Sequence, residues 1–344
     1  MNLLIFTQKV DLNDTVLSFF HRWIIELAKH FNQVTVICLY KGKSELPSNI
    51  RVFSLGKESG ESRLKYLINF LRYIIRLRRD YDVVFAHQNQ EYPILGGIIW
   101  KLLGKRVYMW RNHYAGSLLT DVAALFCDKV FCTSRYSYTA KYKKTVFMPV
   151  GIDTEMFKQD SSVKRVPNSV LSIGRISPSK KLEQFIEALD TVKKNGFDFT
   201  ASIVGDALPE HESYYKSLKD KVNKLDLNSR IVFVAGVPND KTPEVYSAHN
   251  IFVNLSKSGM LDKTIFEAMA CGSIAISCNK DLIGKIDTEY SFREDDVDDL
   301  AAKISGVLGL EPEELKVRGE KLRKFVVENH SLATLASKLK EEMS

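Results

Sequence analysis

The sequence predicts an α/β protein built from two tandem Rossmann-like domains, each a doubly wound parallel sheet. Three observations predict it. Short apolar, β-branched runs alternate with longer helical ones along the chain. The strand-like runs are continuously apolar, as strands covered on both faces must be. The alternation breaks once, near the middle, at a polar and basic stretch, and then restarts. The 344 residues allow two domains of roughly 150 residues each.

In the first half, strands are expected at Leu3–Phe6, Val34–Cys38, Asp82–Ala86, Arg106–Trp110, Lys129–Cys132 and Val146–Met148. Helices are expected at Thr15–Phe31, with Asp14 as N-cap, and at Ser62–Arg79, Ile94–Leu103 and Leu118–Phe126. Pro149-Val-Gly-Ile-Asp153 leads into the polar stretch Lys158–Asn168, which marks the domain boundary. Residues 1–150 are then one domain and 151–330 the other, with a helix over 331–344 expected to pack back on the first. In the second half, strands are expected at Val170–Gly174, Ala201–Val204, Ile231–Val234, Ile251–Leu255 and Ile274–Ser277. Helices are expected at Leu182–Asn195, Tyr214–Leu225, Pro243–His249, Thr264–Ala270 and from Asp296 onward, with a break near Asn329-His330. In doubly wound folds ligands bind at the carboxyl ends of the strands, so the cleft between the domains is the expected site.

Composition excludes several classes. Apolar residues make up 45% and charged residues 26%, an ordinary globular profile. The net charge is +7, too small for a histone-like nucleic-acid binder. It is unevenly spread: residues 1–150 carry 22 basic and 11 acidic side chains, whereas 151–344 carry 27 and 31. The five cysteines, Cys38, Cys127, Cys132, Cys271 and Cys278, form no C-x-x-C and lie in apolar runs, as buried thiols in a reducing compartment do. The start lacks the basic n-region of a signal peptide, and the longest apolar run, Tyr92–Trp100, is about half of a membrane span.

The chemistry concentrates after the second-half strands. Gly174 lets backbone approach a ligand, Arg175 offers a fork of donors, and Lys180 a point charge five residues on, beside a helix start. That arrangement suits a diphosphate; taken alone it reads equally as a glycine turn with solvated basic residues. Gly205-Asp206 ends the next strand at the same edge. Glu267 stands alone among Ala, Met, Ile and Phe, where burial is costly without donors such as ribose hydroxyls. The alternative is a helix-start glutamate favoured by the dipole. Neither a dinucleotide G-x-G-x-x-G nor a Walker motif is present.

Gly174-Arg175-x-x-x-x-Lys180, Val204-Gly205-Asp206 and Glu267-Ala-Met-Ala-Cys-Gly272 resemble, in order and spacing, the retaining glycosyltransferase family 4. Val150-Gly-Ile-Asp153 with Phe157 resembles its interdomain joint. The similarity covers nearly the whole chain. It implies the two-Rossmann fold called GT-B and transfer of a sugar from a nucleotide-diphosphate donor. It implies that Arg175 and Lys180 stabilise the diphosphate, that Glu267 binds ribose, and that His113 acts on the sugar or acceptor side. His87 is a second candidate on the acceptor side. The donor would be a UDP- or GDP-sugar, with no metal and no other cofactor.

Two departures stand out. The position eight before Glu267, where the family often has a glutamate, is Gly259. Asp262 is the candidate to replace that carboxylate, with Lys263 and Thr264 beside it. The family's glycine-rich loop after the first strand is also missing, and Lys9, Asp11 and Asn13 fill that region on the acceptor side.

The segment Ser62–Arg79 projects Lys65, Asn69, Arg72, Arg76 and Arg79 onto a stripe of roughly 80°. Leu64, Leu67, Ile68, Leu71, Ile74 and Ile75 face away from it. It reads as a basic amphipathic helix meeting an anionic membrane, or as a domain helix with a solvated basic face. The expectation is a cytoplasmic enzyme with peripheral contact at the inner membrane face and no nucleic-acid partner. The expected acceptor is a glycan or glycolipid of an envelope or capsule. The alternatives are a nucleotide-sugar epimerase on the same fold, and a sugar-nucleotide-binding relative without catalysis.

Overall fold

A computed structural model describes residues 1–14 and 17–344. The first two residues of the helix expected from Thr15 lie outside the described residues. The chain divides into two compact units, Met1–Gly151 with Leu332–Ser344, and Ile152–Ser331.

The first unit is a seven-stranded, wholly parallel sheet of β1 (Leu3–Val10), β2 (Val34–Lys41), β3 (Ile50–Ser54), β4 (Val83–His87), β5 (Arg106–Trp110), β6 (Lys129–Cys132) and β7 (Thr145–Phe147). The order is β3-β2-β1-β4-β5-β6-β7, so the winding reverses between β1 and β4. Four helices follow strands: α1 (Ser18–Ala28), α2 (Arg63–Arg76), α3 (Glu91–Leu102) and α4 (Leu118–Phe126). Residues of α2, α3 and α4 share one core with Phe6 of β1, through Phe70, through Tyr92 and Trp100, and through Ala123 and Ala124 respectively. The Phe6 ring lies 5.1 Å from that of Phe70 and 5.5 Å from that of Trp100. The other face is covered by α1 and by the terminal helix Leu332–Met343, around Phe20, Trp23, Leu335 and Leu339. Lys129 Nζ pairs with Glu342 at 2.8 Å, which ties the terminal helix to β6.

β3 escapes the sequence reading for a physical reason. It is an edge strand, and of its five residues none is fully buried, so no continuous apolar run marks it. Ser62 caps α2 by accepting from the Lys65 amide, one residue inside the expected boundary.

The second unit is a five-stranded parallel sheet of β8 (Val166–Ile173), β9 (Thr200–Val204), β10 (Ile231–Val234), β11 (His249–Asn254) and β12 (Ile274–Ser277), in the order β10-β9-β8-β11-β12. Its winding reverses between β8 and β11. Its helices are α5 (Leu182–Lys194), α6 (Glu212–Lys224), α7 (Thr242–Ser247), α8 (Lys263–Ala270), α9 (Val297–Leu308) and α10 (Pro312–His330). Two arginines close the carboxyl end of α8. Arg165 donates to the carbonyls of Cys271 and Gly272 at 2.8 and 2.7 Å, and Arg323 of α10 donates to that of Ala270. All five cysteines are buried free thiols.

Leu335 and Leu339 are fully buried in the first unit's core. Leu339→Ala is therefore expected to destabilise that unit by ~2–5 kcal/mol, read as a lower urea midpoint. A midpoint within error of wild type would mean that the terminal helix does not complete this core.

Candidate functional site

The densest polar constellation lies where the winding of the second sheet reverses. β8 ends in Gly174-Arg175, and the chain turns through a 3₁₀ segment, Pro178–Lys180, before α5. β11 ends at Asn254, and the loop after it delivers Asp262 as the N-cap of α8. Lys180 bridges the two turns. Its Nζ lies 2.7 Å from Asp262 Oδ2 and 3.2 Å from Ser256 Oγ. Asp262 also accepts from Asn254 Nδ2 at 3.2 Å and from the Thr264 hydroxyl at 3.0 Å. Burial opposes a charge on Asp262, but Lys180 and these donors outweigh it and hold the carboxyl well below the usual carboxylate range.

The adjacent Lys181 has a different role. It pairs with Glu294 and Asp295 and is only 13% exposed in its side chain. Arg175 is exposed and has no ion-pair partner among the described residues. Gly174, Arg175, Lys180, Val204 and Asn254 line one depression at the strand ends. A pocket of about 360 Å³ adjoins Arg175, between Ser177–Ser179 and Leu208–His211.

Gly205 holds the turns in place from β9. Its φ is +154°, and a Cβ there would lie 1.9 Å from the Gly174 carbonyl oxygen. Only glycine permits that approach. Asp206 turns away from Lys180 and accepts from the Gly236 amide at 3.0 Å.

Glu267 sits one turn after Lys263 on α8 and is 6% exposed. The buried Tyr246 hydroxyl donates to its Oε2 at 3.1 Å. Burial raises the Glu267 carboxyl, against the pull of Lys263, and burial lowers the Lys263 ammonium. Each charge thus favours the other, with Lys263 half-buried and Glu267 buried.

In the first unit, Lys9 near the end of β1 pairs with Asp14 at 2.7 Å and Asp11 at 3.3 Å. The Asn13 amide donates to Asp11. His113, three residues after β5, is half-buried; its Nδ1 lies 2.9 Å from the Ala115 amide nitrogen and 3.2 Å from the Ala115 carbonyl oxygen. His87 departs from the expectation of an acceptor-side surface. It is 1% exposed and its ring stacks on Phe20 at 3.7 Å. The apolar α1 residues that pack on β4 cover it.

The structure thus brings together Gly174, Lys180, Gly205, Asp262 and Thr264, and separately Lys263 with Glu267. Asp206 lies apart. Asn254, Ser256 and Tyr246 escaped the sequence reading. Asn254 carried a signal, as a polar residue closing an apolar strand at the edge that Gly174 and Gly205 share. Among the described residues no three His, Cys, Asp or Glu side chains cluster as metal ligands would.

Sequence comparison places this site in a family. The model for glycosyl transferases group 1 matches residues 153–325, half of the chain, including every residue of the second-unit site. The chain belongs to that family. A glycosyl transferase 4-like model matches residues 12–113 in the first unit. This glycosyl transferase group 1 chain is 24% identical over 195 residues to the α-monoglucosyldiacylglycerol synthase of Streptococcus pneumoniae, covering 53% of this chain and 43% of that one. It is 25% identical over 166 residues to the mannosylfructose-phosphate synthase of Agrobacterium fabrum, covering 43% and 37%. The matches thus span about two fifths of these relatives' lengths. Among solved structures it is similar to Anabaena HepE bound to UDP, with a TM-score of 0.80, 18% identity and 99% of each chain covered. Sucrose-phosphate synthase of Thermosynechococcus elongatus gives 0.76 at 17% identity, covering 98% and 97%. These likenesses show that the two parallel-sheet units have the GT-B fold.

Asp262→Asn tests the ion pair. A carboxyl held below its ordinary 3.8 contributes stability above about pH 4 that is lost as the pH falls through the depressed value. Wild type should melt above the variant at neutral pH, and the gap should narrow in acid. A gap constant with pH would remove the Lys180 pairing as its source.

Proposed function

We propose that this chain is a retaining glycosyltransferase that moves a sugar from a UDP- or GDP-sugar to a glycan or lipid-linked acceptor in envelope or capsular polysaccharide synthesis. The observation that carries this reading is the junction of Gly174, Arg175 and Lys180 with the amino end of α8. A phosphate there meets an unpaired guanidinium, an ammonium and a helix dipole of favourable sign. An ammonium has three N–H donors, and Asp262 and Ser256 take two of those on Lys180. The third is available to a diphosphate oxygen.

As the bond from the sugar's anomeric carbon to the diphosphate breaks, negative charge grows on the leaving oxygen. Arg175 and Lys180 stabilise that charge. The acceptor hydroxyl attacks the anomeric carbon from the same face, and its proton passes to the departing phosphate oxygen. This step needs neither a metal nor a carboxylate pair of the glycosidase kind. Glu267 holds the ribose, with Tyr246 fixing the carboxylate. Gly205 keeps the turns open, and Lys263 and Thr264 stand at the helix end that faces the donor. Asp206 acts by ordering the neighbouring loop. His113 acts on the sugar or acceptor side, and Lys9, Asp11 and Asn13 line the acceptor side. We place the enzyme in the cytoplasm.

Turnover is measured as nucleoside diphosphate release from a panel of UDP- and GDP-sugars, with and without acceptor. Arg175→Ala and Lys180→Ala are each expected to lower it by ~10²-fold or more. Near-wild-type rates in both would remove the diphosphate assignment. A new nucleotide sugar formed from donor alone would replace transfer by epimerisation, and donor binding without turnover would leave a binding protein.

A further inference from the structure

Nineteen large apolar side chains are exposed among the described residues, and they are not spread evenly. Nine of the large ones lie on α2, α3 and α4: Leu64, Ile68 and Ile75; Leu95, Ile98 and Leu102; Leu118, Leu119 and Leu125. Leu102 is 83% exposed, Leu118 77% and Leu125 69%. All three helices pack on the same face of the first sheet. On the opposite face, α1 and the terminal helix expose none.

The pattern along each helix is regular. On α3, Leu95, Ile98 and Leu102 recur at spacings of three and four, one straight stripe along the outer face. On α2 the structure corrects the helical projection. Phe70 and Ile74, with Leu77 just past the helix end, turn inward and meet the sheet, while Leu64, Ile68 and Ile75 turn outward beside Lys65, Arg72 and Arg76, and exposed Arg79 follows the helix. The apolar arc is wider than one core contact needs, and its surplus points to solvent. The outer face of α2 is therefore half aliphatic and half basic, with no acid between Arg63 and Arg76.

We propose that the outer face of α2, α3 and α4 docks on a bilayer surface containing anionic lipid. Aliphatic side chains enter the headgroup boundary, and the lysine and arginines pair with lipid phosphates. Two observations favour a membrane over a protein partner. Protein interfaces favour aromatic anchors; the exposed apolar side chains of this face are all Leu and Ile. The charge is also complementary to anionic lipid, in a first half with twice as many basic as acidic residues. No helix among the described residues is long and apolar enough to cross a membrane, so the contact is peripheral. Lys9 lies near the carboxyl end of β1, and His113 and the starts of α3 and α4 follow the carboxyl ends of strands. Docking on this face sets a lipid-linked acceptor at the edge where those residues lie.

The test is co-sedimentation of the full chain, without donor, with vesicles of phosphatidylcholine alone or mixed with phosphatidylglycerol. Wild type is expected to sediment with the mixed vesicles and to be released by salt. A variant with Lys65, Arg72, Arg76 and Arg79 changed to Gln is expected to partition up to ~10³-fold more weakly. A second variant, Leu95→Ser with Ile98→Ser and Leu102→Ser, is expected to bind more weakly with its charges intact. These positions are exposed, and circular dichroism checks that both variants remain folded. Wild type left in the supernatant, or variants that sediment like wild type, would overturn the proposal. So would a wild-type dimer that the leucine variant dissolves and that binds no vesicle, which would assign the face to a second copy. Because binding is read without turnover, failure here leaves the transferase reading untouched.

Discussion

The ion pair between Lys180 and Asp262 is the contact on which the second unit's site depends. It joins a turn after β8 to the loop after β11, across the point where the sheet reverses its winding. Each partner has a second task. Asp262 caps α8, so the charge that steadies Lys180 also fixes where the helix begins. Lys180 lies beside Gly174, whose carbonyl is packed against Gly205 of the neighbouring strand. A lysine this close to a buried carboxylate is held in place, whereas Arg175 is left exposed. The site therefore combines one anchored cation with one exposed cation.

Parallel sheets explain why the chemistry gathers where it does. Every strand in each unit runs in the same direction, so all loops that follow strands emerge at one edge. At a winding reversal, two neighbouring loops leave in opposite directions and open a space between them. In the second unit that space is lined by Gly174, Lys180 and Asn254. In the first unit the corresponding edge carries Lys9, Asp11 and His113, each held by local hydrogen bonds or ion pairs.

Most of the fold was legible in the sequence, because strands buried on both faces leave continuous apolar runs. The exception, β3, is an edge strand whose residues are half exposed. The site was legible in its glycines and charges but not in its pairings. Lys180 and Lys181 are adjacent in sequence; only the fold turns one toward Asp262 and the other toward Glu294 and Asp295. The same limit applies to Asp262, read as a substitute for the carboxylate missing at Gly259. Its oxygens accept from Lys180, Asn254, Ser256 and Thr264, contacts that a linear pattern cannot display. The burial of His87 was not legible because a histidine closing a strand looks the same in sequence whether or not a helix covers it. The projection of α2 likewise separated basic from apolar residues without showing which part of the apolar arc would meet the sheet.

The arginines at the far end of α8 have a consequence for the near end. A short helix presents partial positive charge at its start and partial negative charge at its finish. In eight residues the two poles are only ~12 Å apart, so the negative pole would weaken any attraction for an anion at the other. Arg165 and Arg323 sit on that negative pole, and among the described residues neither has a carboxylate partner. They convert α8 from a dipole into something closer to a single positive source. Two residues that never approach the candidate ligand therefore help set the electric potential it meets, and a neutral substitution at either would be felt a full helix length away.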